Sequence, residues 1–145
     1  MRGLLITLFL SPLLAHAQVL QESTGSLSSG FRIVHRSQVN GPGSFEGVGH
    51  FSFIYFGDQL LCQCGSGSFF ISPSGARAIF TGAQGVTTLF RTRERTTRAL
   101  TSGFVSSIGH VEWNEPAGKA MVVFEQLSPG KPAPKPLQVL LNEGT

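Results

Sequence analysis

Two stretches of the chain echo each other. "FFISPSGARAIFTG" (residues 69–82) and "VEWNEPAGKAMVVFEQ" (111–126) each read as strand, tight turn, strand, with Ser72 and Asn114 in corresponding places 42 residues apart. A period of that length matches one four-stranded sheet of a propeller-like array, which needs several such units to close into a ring. This chain, at 145 residues, is too short to supply them. The repeat therefore restricts the fold to a short stack of small antiparallel sheets.

The rest of the chain fits that restriction. "FRIVHR" (31–36), "HFSFIYF" (50–56) and "QLLCQC" (59–64) are rich in aromatic and β-branched residues, and Gly57-Asp58 supplies a turn between the last two. "FFIS", "ARAIFT", "VTTLFRT" and "TRALT" follow as four short strands separated by turns. "HVEW" and "KAMVVFEQ" open a further sheet, and "LQVLL" (137–141) reads as a last strand. Residues 127–136, "LSPGKPAPKP", form an extended Pro/Lys-rich linker able to carry that strand back to an earlier sheet. No long stretch has helical periodicity with good helix formers. The expected fold class is all-β and antiparallel, a partial propeller-like stack or sandwich of two to three small blades.

The first seventeen residues stand apart. Arg2, the apolar "LLITLFLSPLLA" and Ala15-His16-Ala17 have the layout of a cleavable signal peptide. Cleavage near Ala17/Gln18 is expected to leave a single all-β domain over 18–145 in the periplasm, with no membrane span in the mature chain. Residues 18–30, polar and rich in Gly and Ser, read as a loose lead-in, and the Gly-rich 38–49 as a loop. The formal net charge of +3 falls to about +2 without Arg2, too small for a nucleic-acid binder, which needs a dense basic face.

In an oxidising compartment Cys62 and Cys64 are expected to pair, given a bulge or turn near Gly65 that draws them together. Two buried thiols and a metal pair are the alternatives. Cys62 or Cys64 with His35, His50 or His110 would supply nucleophile and base, and Cys62, Cys64, His50 and His110 together two sulfurs and two nitrogens for zinc. None of these stands in a recognisable catalytic or zinc-ligand context. "GSGS" (65–68) lacks the Lys-Ser/Thr and helix of a phosphate loop. Neither catalysis nor a cofactor or metal is expected.

Two surface features are candidates for binding. "RTRERTTR" (91–98) sets Arg91, Arg93 and Arg95 at alternate positions, on one face of a strand, as a docking patch or as a charged edge that blocks sheet pairing. "TSGFVSSIGH" (101–110) joins two repeats. Its Gly103 and Gly109 allow a protruding path for Phe104, Val105, Ser106, Ser107, Ile108 and His110, though an ordinary connection with Val and Ile packed inward satisfies the same residues.

The segment "ISPSGARAIFTGAQGVTTLFRTRERTTRALTSG" resembles the repeat of TolB-type propellers, in which a Ser-Pro-Asp-Gly turn joins two strands and a later strand ends in "LT". Ser74 replaces the family's Asp, and the turn at 114–118 is one residue longer. The combination of small size, export, β-structure and the segment "VSSIG" is also similar to periplasmic immunity proteins that act against cell-wall amidases delivered by type VI secretion. That resemblance implies an inhibitor whose serine-bearing loop, with Gly109 at its end, plugs the cleft of a Cys/His peptidoglycan amidase. The alternative is a non-catalytic envelope assembly module that uses an open sheet edge.

Overall fold

The computed structural model describes residues 19–39 and 49–143, so the expected signal peptide and most of the 38–49 loop lie outside the described residues. Among the described residues eleven strands run in chain order: β1 Val19–Ser26, β2 Phe31–Val39, β3 Gly49–Phe56, β4 Gln59–Cys62, β5 Phe69–Ile71, β6 Arg77–Thr81, β7 Val86–Arg91, β8 Thr96–Phe104, β9 Ile108–Asn114, β10 Lys119–Phe124 and β11 Leu137–Leu140. Two short 3-10 turns, Ser66–Ser68 and Ala83–Gly85, join strands, and among the described residues there is no α-helix. The strands form three antiparallel meanders: a first sheet β1-β2-β3-β4, a middle sheet β5-β6-β7-β8 and a last sheet β11-β10-β9. The fold is all-β, three small sheets with no closed barrel.

The two central strands of the middle sheet, β6 and β7, are buried on both faces, and their sequence explains why. Alternation sends successive residues of a strand to opposite sides. In β6, Ala78 and Phe80 enter the core shared with the first sheet, while Ile79 between them enters the core shared with the last. Phe90 and Leu89 divide in the same way on β7. The continuous apolar runs "AIF" and "LF" are thus two interleaved faces rather than failures of alternation. The first core is aromatic: the Phe31 ring lies 5.0 Å from Phe56 and 5.3 Å from Phe69, and Phe69 stacks on Phe80 at 5.1 Å. The second is aliphatic, built from Ile79, Leu89, Val122, Val139 and Leu141 with Phe124.

The tight turn of the sequence repeat occurs three times in the structure. Each sheet begins with strand, turn, strand, and the turns end on Gly30, Gly75 and Gly118, all at positive φ (87°, 74° and 67°). The first copy, Ser26–Gly30, lies in the segment expected to be a loose lead-in. That expectation is corrected: β1 pairs with β2 along its whole length, Val19↔Val39 through Ser26↔Arg32. A polar edge strand is held by its backbone ladder and needs no apolar side chains of its own, so composition concealed it.

The turns also interlock between sheets. A Cβ on Gly75 would fall 2.2 Å from the Ser29 hydroxyl, so only glycine admits the first turn against the second. From the third turn, the Glu115 carboxylate accepts hydrogen bonds from the Ser74 backbone N–H (3.0 Å) and the Ser74 hydroxyl, and lies 3.6 Å from the Arg77 guanidinium. Farther out, Arg77, Arg91 and Arg98 of the middle sheet donate to the chain at 140–143: to Asn142 Oδ1 (3.0 Å), to the Leu141 carbonyl (3.1 Å) and to the Leu140 carbonyl (2.7 Å). The Pro-rich segment delivers β11 to β10 of its own sheet, not back to an earlier one, because Lys119↔Leu140 through Val122↔Leu137 complete the last sheet's ladder.

Partial burial acts to raise the Glu115 pKa, but the hydrogen bonds from Ser74 and Ser72 and the charge of Arg77 outweigh it and hold the carboxyl below its ordinary value. A depressed carboxyl pKa contributes stability that is present above the unfolded value and is lost as pH falls through the folded one. Glu115→Gln is therefore expected to cost about 1–3 kcal/mol at neutral pH. Urea titrations of both proteins should show that difference shrinking as the pH drops below the ordinary carboxyl range. A gap that stays constant down to acid pH would show that the carboxylate does not link the turns.

Candidate functional site: an end face of the stack

The segment expected to protrude does not. β8 runs on to Phe104 and β9 begins at Ile108, so only Val105, Ser106 and Ser107 cross between the middle and last sheets. Ser106 is 2% exposed and donates its hydroxyl to the Glu125 carbonyl at 2.6 Å, while the Glu125 N–H donates to the Ser107 carbonyl at 2.8 Å. Ile108 is in the second core and Val105 packs against it. Gly109 is exposed next to the Glu125 side chain. The outward groups are Phe104 (58% exposed), Ser107 and His110, and His110 Nε2 lies 3.2 Å from Glu112. The crossover is a strap stapled to Glu125, just past the end of β10, because a three-residue link between stacked sheets has no slack with which to loop out.

The arginine pattern is corrected as well. β7 ends at Arg91, and Arg93 and Arg95 lie in the turn before β8, so the three do not share a strand face. Arg91 is spent on the 141–143 carbonyls of the last sheet. Arg95, at φ 54°, turns the other way and stacks over the Phe56 ring of the first sheet at 5.4 Å. Arg93 is exposed in the turn. Alternation in sequence fails as a guide here because a four-residue turn interrupts the strand.

Cys62 and Cys64 form a disulfide with Cα atoms 5.4 Å apart, made possible because β4 ends at Cys62 and the chain bends at Gln63. Cys62 belongs to the first core and Cys64 packs against it. The combination of Cys62, Cys64, His50 and His110 is not brought together, since both sulfurs are bonded and His110 is on the last sheet. Among the described residues no cluster of three or more His, Cys, Asp or Glu side chains is placed to hold a metal. The same residues contain no helix long and apolar enough to cross a membrane.

The far halves of β2 and β3 run beyond the first core, and their inner side carries His35, Ser37, His50 and Ser52 around an open cavity of about 520 Å³. His35 Nδ1 is 2.9 Å from Ser52 Oγ, a hydroxyl within reach of a base. Glu22, the carboxylate beside the same cavity, is held by Arg36 at 3.0 Å, so the imidazole gains no acidic partner among the described residues.

The opposite side of the first sheet carries the most developed surface. Arg32 stacks over the Tyr55 ring at 4.2 Å and Arg36 over the Phe53 ring at 4.9 Å. Arg32 and Tyr55 are direct cross-strand partners, and so are Val34 and Phe53. Val34 belongs to neither core yet is only 2% exposed, and it lies on this face opposite Phe53 and between Arg32 and Arg36 along β2. Phe51 (43% exposed) and Leu60 (52%) extend the apolar surface at either end. Arginine and aromatic residues at such density, with charge fixed in place by stacking, are the composition of protein interface cores. The sequence hid this surface because "FRIVHR" and "HFSFIYF" read only as strands rich in aromatic and β-branched residues, with no face assigned to either. Only the register sets Arg32, Val34 and Arg36 against Tyr55, Phe53 and Phe51 on one outer face.

No known protein family, curated protein or solved structure matches the chain.

Two neighbouring serines give a direct test of the strap. Ser106→Ala removes a buried hydrogen bond and should cost about 1–2 kcal/mol in denaturant unfolding, whereas Ser107→Ala should stay within about 0.5 kcal/mol of the parent. Equal effects would show that Ser106 is not held as described.

Proposed function

We propose that the protein is a non-catalytic, exported protein-binding module that engages its partner through the outer face of the first sheet. The observation that carries this reading is that face itself: two arginine–aromatic stacks lie on either side of Val34, while Phe51 and Leu60 beside them stand in solvent. A monomeric protein gains little by presenting such a surface, and a partner that covered it would bury large apolar groups beside pre-positioned charge. The rigidity of the stack lowers the ordering cost of binding.

The two readings drawn from the sequence, an amidase inhibitor and an envelope assembly module, share this core and differ in the contact surface. Burial of Ser106 favours the assembly module, with contact made by a sheet face rather than an inserted serine loop or a bare sheet edge.

Site-specific photo-crosslinking in the producing cell separates the two. A photoreactive residue at position 51 should yield a discrete protein adduct, and one at position 107 should yield none. Adducts at 107 with none at 51 would return the interest to the crossover and reject the end face.

A further inference from the structure

We propose that the Cys62–Cys64 disulfide is a reversible redox switch that sets the length of β4. Closed, it ends the strand at Cys62; opened by a dithiol reductant, it lets the strand run on to Cys64 along β3. The switch goes beyond the reading of the end face as a binding surface and does not rest on it.

β4 stops where the bridge begins, not where its partner strand runs out. It pairs with β3 up to Cys62 opposite Ile54, and β3 itself extends past that point through Gly49–Phe53. In an extended strand two residues advance by about 6.6–6.8 Å. The bridge holds the Cα atoms of Cys62 and Cys64 at 5.4 Å, and the chain bends at Gln63 between them. Regular strand geometry lies at the upper end of the separations a disulfide spans, about 4.4–6.8 Å, so bridge and ladder compete for the same residues.

The register of the longer strand is already set. Continuing Ile54↔Cys62 by one and two residues places Gln63 opposite Phe53 and Cys64 opposite Ser52. Cys64 keeps the inward side that it shares with Cys62, and Gln63 joins the outer face beside the Phe53 ring on which Arg36 stacks. The chain from Cys64 to β5 has slack for the change. Its four residues, 65–68, reach roughly 13–14 Å when extended, against about 10 Å between stacked sheets. A Cβ at Gly65 or Gly67 would meet nothing within 4 Å, so this link has room to rearrange.

The fold tolerates both states. A bridge across one intervening residue removes little freedom from the unfolded chain, since loop-closure entropy grows with the loop. As thiols, Cys62 and Cys64 remain small apolar groups in and against the first core. Cys62 is 5% exposed and Cys64 half-buried, so an incoming thiolate reaches Cys64 Sγ. A bond forms between the reductant's sulfur and Cys64 Sγ, the Sγ–Sγ bond breaks, and its electron pair leaves with Cys62 Sγ, which takes up a proton. The reductant's second thiolate then displaces Cys64 Sγ, which takes up a proton in turn. The protein gains two electrons and two protons, and the dithiol becomes a disulfide.

Amide hydrogen exchange read by NMR, on the purified protein before and after treatment with dithiothreitol, tests this. The bridge is expected to open in native buffer, with both thiols alkylated on quenching and the circular dichroism of the sheets retained. Neighbouring residues of a strand point their N–H groups to opposite sides, so one amide of the pair Gln63 and Cys64 should exchange at least tenfold more slowly once reduced. Oxidised glutathione should close the bridge and restore the original rate. A bridge that opens only in denaturant, sheets that unfold on reduction, or a folded reduced protein in which both amides exchange as fast as before would each overturn the switch. Crosslinking through position 51 reads the end face separately, so loss of the switch leaves that reading in place.

Discussion

Everything in this molecule depends on a middle sheet that is buried on both sides. β6 and β7 have no solvent face: Ala78, Phe80 and Phe90 close one core, Ile79 and Leu89 the other. The outer sheets each bury one face against this layer. Burying a Phe, Leu or Ile side chain is worth about 1.5–3 kcal/mol, so a handful of residues on two short strands provides the adhesion for three sheets. The interlocked turns and the arginine contacts to 140–143 then fix the angle at which the layers meet. Adhesion is apolar and non-directional; registration is polar and specific.

The double-sided middle layer has a consequence at the ends. A sheet buried on both sides passes the problem of an uncovered face outward, and in an open stack it comes to rest on the first and last layers. The chain meets it differently at each. On the first sheet, guanidinium groups sit over aromatic rings, so that apolar area is shielded while charge stays at the surface. On the last sheet, Met121 and Val123 are flanked by Glu112, His110 and Lys119. These are compromises between solubility and adhesion, and the proposed function grows from the first of them.

Much of this architecture was legible in the sequence, and the exceptions have physical causes. The echo between Ser72 and Asn114 located two of the three turns, and apolar runs located the core strands. The third turn, at Ser26–Gly30, escaped because its spacing departs from the period and its neighbouring strand is polar. Edge strands are defined by backbone pairing, which composition does not record. Arg91, Arg93 and Arg95 alternate in sequence but not in space, since a turn intervenes. Ser106 looked like a surface serine because a buried hydroxyl and an exposed one are the same letter; only the 2.6 Å bond to the Glu125 carbonyl distinguishes it from Ser107. The outer face of the first sheet required register, a long-range property that no local pattern contains.

The measurement that bears most directly on the keystone role of the middle sheet is native-state hydrogen exchange of the backbone amides. If both cores depend on that layer, the amides of β6 and β7 should exchange only through global unfolding, with the same free energy and the same denaturant dependence. The edge strands β1 and β11 should open well below that limit. Exchange from β6 and β7 at or below the free energy of β1 and β11 would contradict the account, since the layer would then be opening before the sheets it is said to hold.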